Sequence, residues 1–283
     1  MNTFAGLALW KTKKRLIFLS AVGAMALAAA LILFLMPTSL PKPPQGFDVR
    51  REGIEGGKAE TVEYDSKAAG GSRRMRVYTP PGYSKEQHYP VLYLLHGSLA
   101  DETSWVKDGK ADAVLDNLYA DKKAVPMIVV MPNCNPPDGA FEADMLGDVL
   151  PYTEGHFPAQ GDREHRALAG ASSGAHRALD LGLAHPETFG YLGAFIGGLQ
   201  NCEQFEKKHQ DVLKDLGGKL KPKLLWVTNS KNDMTYADCQ DTLRLFNKYN
   251  IHYIYMEGNG PHDWETARNG LFVFAPLVFR DMD

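Results

Sequence analysis

The sequence predicts an α/β protein in which helices cover both faces of a mostly parallel, doubly wound sheet. Short apolar runs with strand character alternate with segments of helical periodicity along most of the chain. This alternation is typical of parallel strands joined by crossover helices. Polar, turn-forming residues follow several of these runs, at the sheet edge where such folds place their functional sites.

The predicted elements follow one another in a regular order. Strands are predicted over 61–64, 74–78, 91–95, 127–131, 167–169, 191–196, 224–228 and 253–256. Helices are predicted over 111–119, 143–157, 174–184 and 236–249, and a last helix from residue 268. The polar segment 200–220 is also predicted to be helical and to form a rim or partial lid.

A G-x-S-x-G pentapeptide, Gly170 to Gly174, lies between the predicted strand 167–169 and the helix that follows it. In α/β-hydrolases this pattern forms a strained strand-to-helix turn that exposes a nucleophilic serine above the sheet. Small residues two positions before and after the serine let the turn close. The pattern therefore indicates Ser172 as a nucleophile.

A serine hydroxyl needs a base and an orienting carboxylate, and the α/β-hydrolase chain order is serine, acid, histidine. Asp233 lies in the polar turn after the strand 224–228, and His262 lies in a turn-forming loop near the C-terminus. Both are predicted to complete a triad with Ser172. Asp238 and Asp263 are alternative acids.

The oxyanion formed during ester attack requires aligned donors. The backbone amide of Ser173 is predicted to supply one donor at a helix N-terminus, and the amide of Ser98, after His96-Gly97, the second. The His96 imidazole is expected to be structural. Trp105 and Asn133 are predicted to line the substrate pocket.

The chain from about residue 74 to 279 resembles an esterase family. The resemblance rests on the run 76–83 (Arg-Val-Tyr-Thr-Pro-Pro-Gly-Tyr), the run 89–97 (Tyr-Pro-Val-Leu-Tyr-Leu-Leu-His-Gly), the run 162–167 before the pentapeptide, and residues 144–146. The family includes feruloyl and acetyl-xylan esterases of carbohydrate esterase family one, esterase D, siderophore esterases and mycolyltransferases. The feruloyl esterase modules of bacterial xylanases are the most similar group. The resemblance implies an α/β-hydrolase fold and a Ser-Asp-His carboxylic-ester hydrolase without a cofactor, its triad at Ser172, Asp233 and His262.

The N-terminus predicts the location. Four cations precede an uncharged apolar run over 16–36 that is long enough to cross a bilayer. Residues 1–36 are therefore interpreted as a signal-anchor, with a cleaved signal peptide as the alternative. Residues 37–50 are predicted to be a Pro-rich linker, and residues 51–283 the esterase domain. We expect membrane attachment through the apolar segment and a catalytic domain on the periplasmic or extracellular side of the cell envelope; a secreted protein is the alternative.

Charge and cysteine content exclude other classes. The net charge of −3 includes the four N-terminal cations, so nucleic acid is not an expected partner. Cys134, Cys202 and Cys239 allow one disulfide at most, and we expect unpaired thiols. Their spacing fits no metal motif. The expected substrate is a feruloyl or acetyl ester of a polysaccharide; a siderophore trilactone and acyl transfer of the mycolyltransferase type are the alternatives.

Overall fold

The computed structural model describes residues 39–136 and 139–280. Its eight strands are β1 (Lys58–Ser66), β2 (Gly71–Thr79), β3 (Val91–Leu95), β4 (Ile128–Pro132), β5 (Arg166–Ala171), β6 (Tyr191–Phe195), β7 (Leu224–Ser230) and β8 (Ile254–Gly258). They form one sheet in the order β1-β2-β4-β3-β5-β6-β7-β8. β2 is antiparallel to both β1 and β4, and the other neighbouring pairs are parallel. The predicted doubly wound, mostly parallel sheet is confirmed.

The helices lie between the strands as the alternation predicted. They are α1 (Ser104–Lys107), α2 (Ala111–Ala120), α3 (Phe141–Asp144), α4 (Leu150–His156), α5 (Ser173–Ala184), α6 (Cys202–Leu216), α7 (Tyr236–Lys248) and α8 (Trp264–Phe274). A π-helical stretch, Met145–Val149, joins α3 to α4, and a 3₁₀ turn covers Arg163–His165.

Both faces of the sheet are buried, and β3 shows why. Val91, Tyr93 and Leu95 belong to one apolar cluster, which includes residues of α5, α6 and α7. Leu92 and Leu94 alternate with them and belong to a second cluster, which includes residues of α2 and α8. Because successive strand side chains point to opposite faces, a strand that is apolar at every position needs cover on both sides.

Two helices begin two or more residues earlier than predicted. The last helix starts at Trp264 rather than at residue 268, because the Asp263 side chain accepts the Thr266 N–H at 2.9 Å and forms an N-cap. The helical run predicted from residue 143 starts at Phe141. The polar segment after β6 is helical over Cys202–Leu216, as expected.

The predicted linker 37–50 is corrected, because its described part lies against the domain. The Leu40 N–H donates to the Glu257 carbonyl at 2.8 Å. The Asn117 amide donates to the carbonyls of Phe47 and Val49 at 2.9 and 2.8 Å. Residues 39–50 therefore belong to the same compact unit as the sheet.

Within the two described ranges, no helix is long and apolar enough to cross a membrane. The segment predicted to be a signal-anchor, 1–36, lies outside the described residues.

Candidate active site

Ser172 lies in the sharp turn between β5 and α5 that the pentapeptide predicted. Its backbone has φ 56° and ψ −123°, a conformation that costs a non-glycine residue roughly 1 kcal/mol or more. Its N–H donates to the Phe195 carbonyl at 3.0 Å, which fixes the turn against β6. A Cβ at Gly170 would lie 2.5 Å from the Gly174 carbonyl, and one at Gly174 would lie 2.5 Å from the Leu95 carbonyl oxygen. Glycine is therefore required at both flanking positions.

The structure brings Ser172, His262 and Asp233 together from the ends of three strands. His262 Nε2 lies 2.8 Å from Ser172 Oγ, and His262 Nδ1 lies 2.8 Å from Asp233 Oδ2. With the imidazole proton on Nδ1, the ring donates to the carboxylate and accepts from the serine hydroxyl. This is the arrangement in which a histidine can remove the serine proton.

The carboxylate of Asp233 is shielded from solvent and is held by hydrogen bonds from Thr235. The Asp233 side chain is buried, whereas about a fifth of the His262 side chain is exposed. Thr235 donates to Asp233 Oδ1 twice, from its N–H at 2.8 Å and from its hydroxyl at 2.7 Å. Hydrogen bonds to the charged form stabilise a buried carboxylate.

Thr235 is a residue that the sequence analysis missed. The bond from its N–H to the side chain two residues earlier is an Asx-turn, and Asp-x-Thr after a strand is a pattern that such turns favour. The Thr235 hydroxyl also accepts from Asn229 Nδ2 at 3.0 Å. This local pattern could have identified Thr235 as a support for the acid.

The two alternative acids have other places in the structure. Asp263 follows His262 directly, but its carboxylate caps α8. Asp238 lies in the first turn of α7, while both carboxylate oxygens of Asp233 are within 3.0 Å of His262 Nδ1. The geometry therefore favours Asp233 as the acid.

The His96-Gly97 turn packs directly against the nucleophile. A Cβ at Gly97 would lie 3.2 Å from Ser172 Cβ, so the backbone that continues into Ser98 passes beside the reacting hydroxyl. Ser173 is the first residue of α5, where backbone amides have no partner within the helix. These positions suit the predicted oxyanion amides of Ser98 and Ser173, which stay a prediction.

The imidazole of His96 connects the ends of two strands. It is buried, with Nδ1 2.8 Å from the Gly97 carbonyl oxygen, and Nε2 accepts the Cys134 N–H at 2.9 Å. Burial lowers the pKa of His96, which favours the neutral ring that this acceptor role needs. The structural role expected for His96 agrees with these contacts.

The prediction that Trp105 lines the pocket is wrong. Its side chain is only 1% exposed, its indole N–H donates to the Leu95 carbonyl at 2.9 Å, and its ring packs edge-on against Trp264. The polar residues around Trp105 in the sequence did not show whether its ring packs in the core or contacts a ligand. Trp105 is a core residue whose hydrogen bond to Leu95 holds the end of β3.

Asn133 follows β4, but its amide is engaged within the loops. Nδ2 donates to Glu102 at 3.0 Å, and Oδ1 accepts the Asn135 N–H at 3.0 Å. Asn135 in turn donates to the Ala100 carbonyl at 3.0 Å. Asn133 therefore supports the loop that carries Ser98, and its predicted contact with substrate has no support in these bonds.

The three cysteines are free thiols, as expected. Burial raises the pKa of Cys134 to about 12, so this thiol is not a nucleophile near neutral pH. Across the described residues, no cluster of three or more His, Cys, Asp or Glu side chains could hold a metal ion.

Two exposed apolar side chains flank the triad. Leu99 is fully exposed and follows Ser98, and Met234 is 80% exposed and follows Asp233. The Leu99 backbone has φ 61°, in the left-handed region that a bulky residue rarely adopts. β3 and β7 lie on opposite sides of β5, so the loops that carry these two residues start on opposite sides of the strand that leads to Ser172.

Comparison with known proteins agrees with this geometry. A family model described as "Putative esterase" matches residues 66–273. The chain belongs to this esterase family. The predicted resemblance and the α/β-hydrolase fold are thereby confirmed.

The chain is similar to parts of two longer bacterial proteins. It is 35% identical over 183 residues to an endo-1,4-beta-xylanase/feruloyl esterase of Xylanibacter ruminicola. This match covers 59% of this chain and 25% of the relative. It is 28% identical over 120 residues to endo-1,4-beta-xylanase Y of Acetivibrio thermocellus, which covers 37% of this chain and 11% of the relative. The matched region is thus a quarter or less of each relative.

Solved structures give the same family. A ferulic acid esterase of carbohydrate esterase family one from Anaeromyces mucronatus, solved with ferulic acid, superposes with a TM-score of 0.74 at 25% identity. The superposition covers 84% of this chain and 96% of that chain. An enterochelin esterase from Shigella flexneri, at 19% identity and a TM-score of 0.64 over 85% of this chain and 62% of that one, shares the fold.

Proposed function

We propose that this esterase is a serine carboxylic-ester hydrolase that acts through an acyl-enzyme. The observation that carries the proposal is the hydrogen-bond chain from Asp233 through His262 to Ser172, with both bonds to the imidazole at 2.8 Å. A nucleophile, a base and an orienting acid in this order are the groups that acyl transfer requires.

Acylation begins when Ser172 Oγ attacks the ester carbonyl and its proton passes to His262 Nε2. The carbonyl oxygen becomes an oxyanion, which the amides of Ser98 and Ser173 stabilise. The C–O bond to the alcohol then breaks, and the alcohol leaves with the proton from Nε2. An ester now joins the acyl group to Ser172.

Deacylation repeats these steps with water as the nucleophile. His262 removes a proton from water, hydroxide adds to the acyl carbon, and the collapse of the second tetrahedral intermediate returns the proton to Ser172 Oγ. The product is a free carboxylic acid. The buried charge of Asp233 stabilises the imidazolium in both halves of the cycle and holds the ring in one orientation.

The proposed substrate is a feruloyl ester of a plant polysaccharide. The Xylanibacter relative and the Anaeromyces structure are a feruloyl esterase and a ferulic acid esterase by name, which supports this choice. The exposed apolar side chains of Leu99 and Met234, next in sequence to Ser98 and Asp233, also suit an aromatic acyl group better than an acetyl group. An aromatic ring gains from contact with apolar surface that acetyl is too small to reach.

A hydrolysis panel tests the reaction and the acyl preference together. Methyl ferulate, p-nitrophenyl acetate, acetyl-xylan and a siderophore trilactone are compared with the wild-type protein and with Ser172→Ala. We expect the highest kcat/KM on methyl ferulate and a loss of hydrolysis by several orders of magnitude in the variant. A higher kcat/KM on acetyl-xylan or on the trilactone would replace the feruloyl assignment, and hydrolysis by Ser172→Ala at a rate near wild type would remove the mechanism.

The proposed location is the cell envelope, with residues 1–36 as membrane anchor. Support comes from four cations followed by an uncharged apolar run. The full chain is expected to fractionate with membranes and to resist extraction by high salt, because apolar contact rather than charge holds it. Activity in the soluble envelope fraction with a mature N-terminus near residue 29 would show a cleaved signal instead.

A further inference from the structure

A cleft of about 390 Å³ lies beside α5, away from Leu99. It lies between α5, the segment that leads into α3, and the first turns of α6. Its volume is within the range of small-molecule sites. The side chains that give it its chemical character are Phe141, Arg177, Asp180, Gln204, Phe205 and Lys208.

The cleft begins beside the nucleophile. Arg177 lies one turn along α5 from Ser173, and its Nη1 donates to Ser173 Oγ at 3.3 Å. The loop after β6 approaches from the other side, since a Cβ at Gly197 would lie 2.9 Å from the Ser172 carbonyl oxygen. Gln200, from the same loop, lines the cleft. Two walls of the cleft, α5 and the loop after β6, are thus continuous with the segments that contact Ser172 and Ser173.

The lining contains charges of both signs and planar amides. The lining includes the cations Arg177 and Lys208 and the carboxylates Glu142 and Asp180, so a charged ligand of either sign would meet like charge. The Arg177 guanidinium lies over the Phe141 ring, 5.6 Å from its centroid. Within the described ranges, no carboxylate lies within salt-bridge distance of Arg177, so its other N–H groups can donate to a ligand.

Such a lining fits an uncharged ligand that has many hydroxyl groups. Each hydroxyl both donates and accepts, so it can bond to cationic donors, to carboxylates and to amides alike. The half-buried ring of Phe141 can contact the C–H face of a sugar ring. The lining is thus chemically different from the apolar surface that Leu99 and Met234 present.

We propose that this cleft binds the carbohydrate alcohol of the ester substrate, while the aromatic acyl group contacts Leu99 and Met234. The inference rests on the proposed esterase activity and adds where the sugar part of the substrate lies. A feruloylated sugar has one aromatic and one hydroxyl-rich half, and the two surfaces beside Ser172 match these halves.

Two neighbouring lysines on α6 provide a matched test. Lys208 lines the cleft, whereas Lys207 does not line it; both are exposed, and each alanine variant removes one positive charge. In the full chain, kcat/KM is measured for a feruloylated xylo-oligosaccharide and for methyl ferulate, which has no sugar. Lys208→Ala and Gln204→Ala are each expected to lower the ratio of the two values roughly threefold to tenfold, the effect of one lost hydrogen bond. Lys207→Ala is expected to keep the wild-type ratio.

Equal ratios for the Lys208 and Lys207 variants would overturn the proposal that the cleft binds sugar. If these variants still hydrolysed methyl ferulate, the proposed esterase function would be unaffected. A binding measurement covers the reverse case. Calorimetric titration of Ser172→Ala with unesterified xylo-oligosaccharide reads the cleft without any reaction, and affinity is expected to fall when Lys208→Ala, but not Lys207→Ala, is added. No binding by Ser172→Ala, or equal affinity in both double variants, would reject the cleft as a sugar site whatever the enzyme hydrolyses.

Discussion

The Thr235 hydroxyl donates at 2.7 Å to Asp233 Oδ1, an oxygen that also lies 3.0 Å from His262 Nδ1, and so helps to hold the acid against the imidazole. Thr235→Val removes this bond but keeps the N–H bond at 2.8 Å. We expect kcat/KM to fall roughly threefold to tenfold, because the carboxylate loses one of the groups that fix its position.

Thr235→Ser is the control, since it restores the hydroxyl on a smaller side chain. Thr235→Val also leaves Asn229 Nδ2 without this acceptor, so both variants need a thermal melt to measure the stability change. If kcat/KM fell only in proportion to the loss of stability, and Thr235→Ser did not restore it, a positioning role for Thr235 would be rejected.

Ser172→Ala is expected to lower kcat by roughly 10⁴- to 10⁶-fold, because loss of the nucleophile leaves only binding and the oxyanion amides. The change removes only one oxygen atom and leaves the neighbouring side chains packed as before, so the circular dichroism spectrum and the melting temperature are expected to stay close to wild type. A fluorophosphonate probe is expected to label Ser172 in the wild-type protein. Labelling at Ser173 or Ser98 in its place would require another nucleophile.

Asp233→Asn is expected to lower kcat roughly 10⁴-fold at neutral pH, because the amide keeps the shape of the carboxylate but lacks its charge. Asp263→Asn is the matched control. Asparagine caps a helix about as well as aspartate, so α8 and the activity are both expected to be nearly unchanged. The triad would have to be reassigned if Asp263→Asn proved the more damaging of the two.

Sequence order identified the triad because each member follows a strand, and parallel strands bring their carboxyl ends to one edge. The roles of Ser172, Asp233 and His262 could thus be predicted without knowing how the side chains pack. The role of Trp105 could not, since its indole is buried by contacts with Leu95 and Trp264, which are distant in the sequence or in another element.

The cleft beside α5 was unpredictable for a related reason. Its walls come from segments far apart in the chain, and Gln204 and Lys208 carry the same pattern as any exposed helix face. Periodicity marks α6 as amphipathic, but it does not show which neighbour its polar face meets. The docking of residues 39–50 was missed because proline content alone predicted a spacer.

The buried His96 is expected to make stability depend on pH. Burial lowers its pKa in the folded state below the value of about 6.5 for an exposed histidine. Between those two pKa values the unfolded chain binds a proton that the folded chain does not. The contribution of His96 to the free energy of unfolding is therefore fully present above about pH 6.5. It decreases as the pH drops below that value, by at most about 1.4 kcal/mol per pH unit.

Urea unfolding at pH 7.5 and pH 5.5 measures this dependence. His96→Gln is expected to be less stable at pH 7.5, since it disturbs the contacts to Gly97 and Cys134, but to lose less stability on acidification. Burial also lowers the pKa of His176 and His209, so part of the slope is expected to persist. The same slope in the wild type and in His96→Gln would assign the whole effect to other groups.

Leu99→Ala tests whether the exposed side chain beside Ser98 selects the acyl group. Removal of its apolar contact is expected to lower the ratio of kcat/KM for methyl ferulate to that for p-nitrophenyl acetate, roughly threefold to tenfold, because acetyl is too small to reach it. Val49→Ala is the matched control: Val49 is 64% exposed and lies in the segment bound to α2. It is expected to keep the wild-type ratio. If Leu99→Ala lowered kcat/KM for both esters equally, Leu99 would act on the conformation of the loop that carries Ser98 and not on the selectivity for the acyl group.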